Sequence, residues 1–312
     1  MSSNQLSSGD VLADRRADYA RMMGTSGDHA GAADLMEQAL ELAPRWAAGW
    51  FQLGEYREKS GNGEGAVTAY EIVLELDPAD LFGAGLKVAL LTGNNQTTQP
   101  SSRYVERLFD DYASRFDKAL VERLGYDVPQ KLAALVRSRG RRFALTVDLG
   151  CGTGLFGAEI RDLTDRLEGF DLSRNMLREA GEKGLYDHLG QADLSLSAAE
   201  SGLFSAERPP VRADLVSAAD VLMYLGDLTP PLSLAREMIA SGGLLAFSVE
   251  DAGDGEDLRL GPSLRFAHGS AYVRTLLAGL GFALLEEVRT VIRQDAGQPV
   301  HGILYLAQAP AA

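Results

Sequence analysis

The sequence predicts an all-α segment followed by an α/β domain with a mostly parallel sheet, and three observations support this fold class. Residues 39–44 (ALELAP) recur as residues 73–78 (VLELDP), which gives a repeat of 34 residues. From residue 143 onward, short apolar runs alternate with helical periodicity, as parallel strands joined by crossover helices do. The last two apolar runs, residues 282–292 and 302–307, lie too close together for a crossover helix, so they predict an antiparallel hairpin.

The repeat period of 34 residues is that of the tetratricopeptide repeat, a helix-turn-helix unit. Counting from Ala47, one unit has its large, small and helix-breaking residues where that repeat has them, at Trp50, Leu53, Gly54, Ala66, Tyr70 and Pro78. The preceding unit matches less well, and residues 81–91 are predicted to form a final covering helix. Residues 1–92 are therefore predicted to hold about two repeats plus a cap, with a plain helical hairpin as the alternative.

Residues 93–102 are small and polar without apolar periodicity, and we predict that they form a linker. The α/β domain is expected over residues 103–312, and it begins with a helical lead-in at residues 104–117 and 127–137. Besides the hairpin, strands are predicted at residues 144–149, 167–170, 213–218 and 243–249, with a helix at 173–183.

Composition excludes several classes of partner and site. The 30 basic and 44 acidic side chains give a net charge of -14, which disfavours nucleic acid and anionic membranes as partners. Cys151 is the only cysteine, so no internal disulfide is possible. With no apolar leader and no membrane-length apolar stretch, we expect a cytoplasmic protein. His29, His188 and His301 lack metal-ligand spacing, so no metal site is predicted.

A glycine-rich turn follows the first predicted strand. Gly150, Gly152 and Gly154 open the next helix, where main-chain amides can hold a nucleotide-like ligand. Together with Gly157 they also satisfy the G-x-G-x-x-G spacing of dinucleotide sites, so NAD stays open on spacing alone. Asp148 favours a different cofactor, because a carboxylate here would repel the diphosphate of NAD and suits the ammonium group of a methionine moiety.

Two further carboxylates follow the next predicted strands. Asp171 ends the second strand, 21 residues after Gly150, where it can accept hydrogen bonds from both ribose hydroxyls. Asp193 follows the third strand and offers a polar group to an adenine amine beside the apolar Leu194. The order and spacing of these groups indicate a cofactor that contains adenosine.

The chain resembles the class I S-adenosylmethionine-dependent methyltransferases, which have a Rossmann-like sheet that ends in an antiparallel hairpin. The matching motifs lie at residues 147–157, 169–173, 191–194 and 214–224, and the likeness covers roughly residues 104–307. More narrowly, the chain is similar to bacterial predicted methyltransferases that carry tetratricopeptide repeats. The residues that carry this likeness follow the repeats and are 104–112 (YVERLFDDY), Phe116 and Asp117. Those proteins are related to trans-aconitate methyltransferase.

This resemblance implies S-adenosylmethionine as the cofactor, with S-adenosylhomocysteine as its product, and a role for each site residue. The methionine part would lie on Asp148, Gly150, Cys151 and Gly152. The ribose would lie on Asp171 and Leu172, and the adenine on Asp193 and Leu194, with the backbone of Ala218 near the amine. Tyr112 and Phe116 would close over the site. Related families often have tyrosine where this chain has Phe116, and phenylalanine has no hydroxyl group for a cofactor contact. Packing in the core is the alternative for Tyr112 and Phe116.

The acceptor is less defined than the cofactor. Transfer from a sulfonium mainly needs alignment and exclusion of water, so no catalytic residue is predicted. Methylation at pyrimidine C5 needs a cysteine nucleophile. The only cysteine, Cys151, belongs to the glycine-rich turn, which argues against this reaction. Residues 218–224 lack the prolines typical of base-amine methyltransferases. A small molecule with a carboxylate or hydroxyl is therefore expected, and the alternatives are a protein recruited through the repeats or a non-catalytic cofactor-binding adaptor.

Candidate acceptor residues lie in the predicted loops at residues 220–227 and 251–269, at the carboxyl ends of strands. Arg265 could pair with a substrate carboxylate, and His268 could take a proton from an acceptor hydroxyl. Tyr224 could form a wall of the acceptor site or pack in the core. The alternatives are that Arg265 neutralises nearby acids such as Asp254 or Glu256 and that His268 only orders its loop.

Overall fold

The computed structural model describes residues 7–94, 99–113, 126–295 and 297–311. The chain divides into two compact units, Met1–Tyr104 and Val105–Ala312. Part of the predicted linker and Phe116 lie outside the described residues.

The described part of the N-terminal unit is all α-helical. Asp10, Asp28 and Asn62 accept hydrogen bonds from backbone amides at the starts of the first, second and fourth helices, so each helix begins where a polar side chain caps it. The helices are α1 (Val11–Thr25), α2 (His29–Leu42), α3 (Ala47–Lys59), α4 (Gly63–Leu76) and α5 (Ala84–Thr92).

Close packing in this unit depends on small residues. Ala32 and Ala39 of α2 are fully buried. Gly54 of α3 faces the buried ring of Tyr70 on α4, and a Cβ atom added to Gly54 would lie 2.4 Å from Tyr70 Cε1. The hydroxyl of Tyr70 donates to Glu58 at 3.0 Å, which fixes the ring. Gly54 therefore sets the separation of α3 and α4.

The C-terminal unit has alternating helices and strands along the chain. Its helices are α6 (Ser102–Tyr112), which crosses the boundary between the units, α7 (Val128–Arg137), α8 (Leu155–Ile160), α9 (Arg174–Glu182), α10 (Thr229–Met238) and α11 (Ser270–Gly279). Its strands are β1 (Phe143–Leu149), β2 (Thr164–Asp171), β3 (His188–Gln191), β4 (Ala213–Ala218), β5 (Ile239–Asp251), β6 (Leu258–Leu260), β7 (Phe266–His268), β8 (Ala283–Asp295) and β9 (Gln298–Gln308).

The sheet has the predicted mixture of parallel and antiparallel pairs. Strands β3, β2, β1, β4 and β5 lie side by side in that order and are parallel. Strand β9 runs antiparallel between β5 and β8, and β8 and β9 form the C-terminal hairpin. The predicted mostly parallel, Rossmann-like sheet with an antiparallel C-terminal hairpin is confirmed.

The predicted loop at residues 251–269 is wrong in part. Strand β7 continues the sheet beside the last residues of β5, and β6 pairs antiparallel with β7. Each of these strands has only three residues in a glycine-rich stretch, so neither shows a period that sequence reasoning can detect.

Apolar residues on both faces of the central strands bury the sheet between two layers. Val147 and Phe170 lie in the core on one face, and Leu167 and Leu215 lie in the core on the other. Parallel strands are usually covered on both faces in this way and are therefore mostly apolar. Within the described ranges, no helix is long and apolar enough to cross a bilayer.

The Gly54→Ala variant is expected to lower the free energy of unfolding of the N-terminal unit by about 1–3 kcal/mol, because the added methyl group meets a buried, hydrogen-bonded ring. Gly63→Ala is the matched control, since nothing lies within 4 Å of a Cβ atom added there. The fluorescence of Trp46 and Trp50, the only two tryptophans, reports on this unit during urea denaturation. Equal stability of the two variants would contradict this packing role.

Candidate functional site

The glycine turn connects the end of β1 to α8. Gly150, Gly152 and Gly154 have φ values of 63°, 53° and 89°, in the left-handed region that favours glycine. The backbone amide of Cys151 donates to the carbonyl of Phe170 on β2 at 2.9 Å, which ties the turn to the sheet. Burial raises the pKa of the Cys151 thiol well above its usual range, so this cysteine is structural.

Asp148 lies at the end of β1 and is almost completely buried. Its Oδ1 accepts a hydrogen bond from Ser217 Oγ at 2.7 Å, and its Oδ2 accepts one from Tyr186 Oη at 2.8 Å. Burial raises the pKa of Asp148 to about 6, against the opposing effect of these two donors. Asp148 is therefore a buried carboxylate held only by neutral groups among the described contacts.

Asp171 lies beside the turn at the end of β2. Its Oδ2 accepts from the Gly152 amide and its Oδ1 from the Ser173 amide, both at 2.8 Å. Burial raises the pKa of Asp171 to about 6, and the nearby carboxylate of Asp110 adds to the shift. The predicted ribose residue and the glycine turn are thus in direct contact.

The predicted adenine residues lie after β3. Asp193 accepts from the backbone amide of Ser195 at 2.9 Å and from its hydroxyl at 2.6 Å. Leu194 is buried, as is Ala218 at the end of β4, while Leu172 is half-buried after β2. Every described donor to the three strand-end carboxylates is neutral, so no cation compensates their charge among the described contacts.

Helix α6 covers the loops that follow β2, β3 and β4. Asp110 accepts from Ser173 Oγ at 2.5 Å, and Glu106 accepts from the side-chain amide of Gln191 at 3.1 Å. The ring of Phe109 meets the Tyr224 ring edge-on, with 4.8 Å between centroids. Tyr112 ends the same helix and is half-buried.

Two of the predicted acceptor residues contact each other. Arg265 Nε donates to Tyr224 Oη at 3.2 Å, and the guanidinium carbon of Arg265 lies 5.6 Å from the centroid of that ring. Tyr224 belongs to a 3₁₀ turn, Leu222–Tyr224, just after β4. The hydrogen bond and ring contact together hold the Arg265 side chain at the carboxyl end of the sheet.

The nearby acids around Arg265 are not the two that the sequence suggested. Asp254 pairs with Arg289 at 2.9 Å, and Glu256 pairs with Arg259 at 3.5 Å. The acids that act electrostatically on Arg265 are instead Glu250 and Asp220.

His268 is fully buried on β7. Its Nε2 lies 3.1 Å from the carbonyl oxygen of Leu225 and 3.0 Å from that of Gly226. Because carbonyl oxygens only accept, Nε2 carries the proton and donates. Burial lowers the pKa of His268 to about 4, so the ring is neutral at pH 7. These contacts favour the alternative in which His268 orders the loop beside Tyr224.

An ion cluster that the sequence did not predict lies next to these residues. Arg293 of β8 is 3% exposed and pairs with Asp220 at 3.2 Å and also with Glu250 at the end of β5. Asp220 has a φ of 58°, and its amide donates to Ser248 Oγ at 2.8 Å. Burial raises the pKa of Asp220 to about 6, against the opposing charge of Arg293. The chain separation of 73 residues between Asp220 and Arg293 left no local signal.

In the part of the chain that the structure describes, no three histidine, cysteine, aspartate or glutamate residues are placed to hold a metal ion.

Comparison with protein families identifies the central part of this unit. Residues 147–245 match the family model of the methyltransferase domain. The matched segment contains the glycine turn, Asp148, Asp171, Asp193 and Ala218. This segment is therefore similar to methyltransferase domains.

Two relatives are malonyl-[acyl-carrier protein] O-methyltransferases. The protein of Enterobacter lignolyticus is 32% identical over 127 residues, which cover 41% of this chain and 47% of the relative. The protein of Salmonella typhimurium is 28% identical over the same shares of both chains. The chain thus spans about half the length of these relatives.

The fold is also similar to that of a solved methyltransferase. Magnesium protoporphyrin IX methyltransferase from Synechocystis, with bound S-adenosylmethionine, superposes with a TM-score of 0.50 at 16% identity. The match covers 68% of this chain and 99% of that protein. At this identity the likeness supports the fold alone.

The Arg293→Met variant is expected to lower the free energy of unfolding by about 3–5 kcal/mol, because two buried carboxylates lose their shared cation. Arg289→Met on the same strand is the matched control. Its side chain is 47% exposed and pairs with the exposed Asp254 as well as with Asp251, so its loss is expected to change stability less. Urea denaturation measures both, and a small effect of Arg293→Met would show that the cluster is hydrated.

Proposed function

We propose that this chain is an S-adenosylmethionine-dependent methyltransferase that acts on a small-molecule acceptor. The observation that carries this proposal is the set of strand-end carboxylates, Asp148, Asp171 and Asp193, around the glycine turn. Their described donors are all neutral, so they favour a ligand with positive charge and hydroxyl groups. S-adenosylmethionine has both, whereas the diphosphate of NAD would meet negative charge.

The residues of the proposed cofactor site contact different parts of the cofactor. Asp148 attracts the ammonium group, and the main chain of residues 150–152 lies against the methionine part. Asp171 accepts from the ribose hydroxyls, and it also holds the Gly152 amide, so the ribose and the turn are positioned together. Asp193 and Leu194 receive the adenine. When bound, the cofactor supplies an activated methyl group, and helix α6 excludes water from the site.

We propose a carboxylate acceptor held by Arg265. The described hydrogen bond of Arg265 uses only Nε, on Tyr224, and this leaves the terminal nitrogens for the two-point contact that a carboxylate prefers. Arg293 is less suited, because Asp220 and Glu250 already bind it. The relatives named as O-methyltransferases of malonyl-[acyl-carrier protein] support an oxygen acceptor.

We further propose that α1 to α4 form two tetratricopeptide repeats. The period of 34 residues and the contact of Gly54 with Tyr70 support this assignment. A role of these helices in binding a partner stays a prediction.

The Asp171→Asn variant is expected to weaken S-adenosylmethionine binding about 10- to 100-fold. The reason is that charge-assisted hydrogen bonds to the ribose contribute about 1.5–3 kcal/mol. The matched control is Asp165→Asn on the same strand, whose carboxylate is 69% exposed and pairs with Arg142. Calorimetric titration compares the two variants. Unchanged affinity in Asp171→Asn would contradict the ribose assignment.

The Arg265→Gln variant is expected to raise the KM for a malonyl thioester or another small monocarboxylate about 10-fold or more, since it removes a charge-assisted contact. Formation of S-adenosylhomocysteine measures turnover. Arg259→Gln is the control, because Arg259 pairs with Glu256 at the surface. If Arg265→Gln turns over carboxylates normally while cofactor affinity is intact, the carboxylate proposal is wrong.

A further inference from the structure

Tyr186 contacts the cofactor side of the sheet, although no sequence motif includes it. Its Oη donates to Asp148 Oδ2 at 2.8 Å and lies against Gly157, where an added Cβ atom would be 2.3 Å from it. Asp148 belongs to β1 and Gly157 to the first turns of α8. One hydroxyl group therefore connects the strand before the glycine turn with the helix after it.

Three glycines form the surface that receives the Tyr186 side chain. Added Cβ atoms would lie 2.9 Å from its Cε2 at Gly154, 2.3 Å from its Oη at Gly157, and 2.7 Å from its Cε1 at Gly169. The ring is rigid, so any side chain at these positions would displace it. The last glycine of the G-x-G-x-x-G spacing thus makes room for a tyrosine in this chain.

We propose that Tyr186 is a positioning residue of the cofactor site: it orients the Asp148 carboxylate through a hydrogen bond and fixes the glycine turn through its ring. The proposal rests on the proposed function, in which Asp148 attracts the cofactor's ammonium group. Ser217 Oγ donates to the other carboxylate oxygen at 2.7 Å. Two neutral donors orient the carboxylate and leave its charge available to a cationic ligand.

The ionisable groups around Asp148 are consistent with this role. They are Asp171 on β2, Cys151 in the turn, Tyr186, and Tyr126 ahead of α7. No cation is among the described contacts of Asp148. The hydrogen bond from Tyr186 lowers the pKa of Asp148, so removal of that hydroxyl group is expected to raise it.

The first test measures the pKa of Asp148 in the whole chain without ligand. NMR of labelled aspartate carboxyl carbons follows the titration. Tyr186→Phe keeps the ring against the glycines and removes only the hydroxyl. The pKa of Asp148 is expected to rise by about one pH unit, since one hydrogen bond to a charged group is lost. Asp148→Asn assigns the signal. This measurement needs no cofactor, so it is independent of the proposed function.

The second test is S-adenosylmethionine affinity as a function of pH. From a starting pKa of about 6, a rise of about one unit lowers the ionised fraction at pH 6 from roughly one half to one tenth. Affinity of Tyr186→Phe is therefore expected to fall about five-fold at pH 6 and to approach that of the wild type at pH 8. In an Asp148→Asn background, the same substitution is expected to cause no pH-dependent loss.

The matched control is Tyr70→Phe, which removes a hydroxyl group that donates to Glu58 in the N-terminal unit. It is expected to leave cofactor affinity and its pH dependence unchanged. An unshifted pKa of Asp148 in Tyr186→Phe, or an affinity loss of the same size at every pH, would overturn the positioning role. A wild-type protein that does not bind S-adenosylmethionine, together with a shifted pKa, would instead reject the proposed function.

Discussion

The C-terminal unit depends on one physical constraint, the burial of carboxylates at the carboxyl ends of parallel strands. A buried carboxylate that has only neutral donors is costly, and both Asp148 and Asp171 have pKa values raised to about 6 by that burial. A cationic ligand would recover this cost, because it favours the ionised form of both groups. The glycine turn brings main-chain atoms to the same place, since its left-handed residues leave no side chain in the way.

The two halves of this sheet edge differ in charge balance. On the proposed cofactor half, the carboxylates at the ends of β1 and β2 and after β3 have no cation among their described contacts. On the proposed acceptor half, Arg293 binds Asp220 and Glu250, and Arg265 lies nearby on Tyr224. The first half therefore suits a positively charged cofactor, and the second offers a guanidinium to an anionic acceptor. Helix α6 covers both halves through Asp110 and Phe109.

Much of the fold could be predicted from local sequence. The long strands, the alternation with helices and the C-terminal hairpin appear as periodic patterns, and Gly150, Asp148 and Asp171 follow strands at recognisable spacings. Contacts between distant segments could not be predicted in this way. Arg293 reaches Asp220 across 73 residues, because β9 places β8 beside that end of the sheet.

Tyr186 and His268 illustrate the same limit at the level of single side chains. Only the folded structure shows that Tyr186 fits against Gly154 and Gly157 of the glycine-rich spacing and against Gly169 on β2. His268 lies in a strand of three residues, which is too short to show an alternating apolar pattern. Its burial keeps the ring neutral, and this could not be predicted from the sequence. Acceptor residues are less predictable than cofactor residues, since they come from irregular segments that local patterns do not describe.

The most direct test of the account is calorimetric titration of the wild-type protein with S-adenosylmethionine and with NAD at pH 7 and pH 5. Because Asp148 and Asp171 must be ionised to attract the cofactor and each has a pKa of about 6, S-adenosylmethionine is expected to bind at pH 7. It is expected to bind at least about ten-fold more weakly at pH 5, where these groups are mostly protonated. NAD is expected to bind at neither pH. Binding of NAD, or S-adenosylmethionine affinity that does not change with pH, would contradict the account.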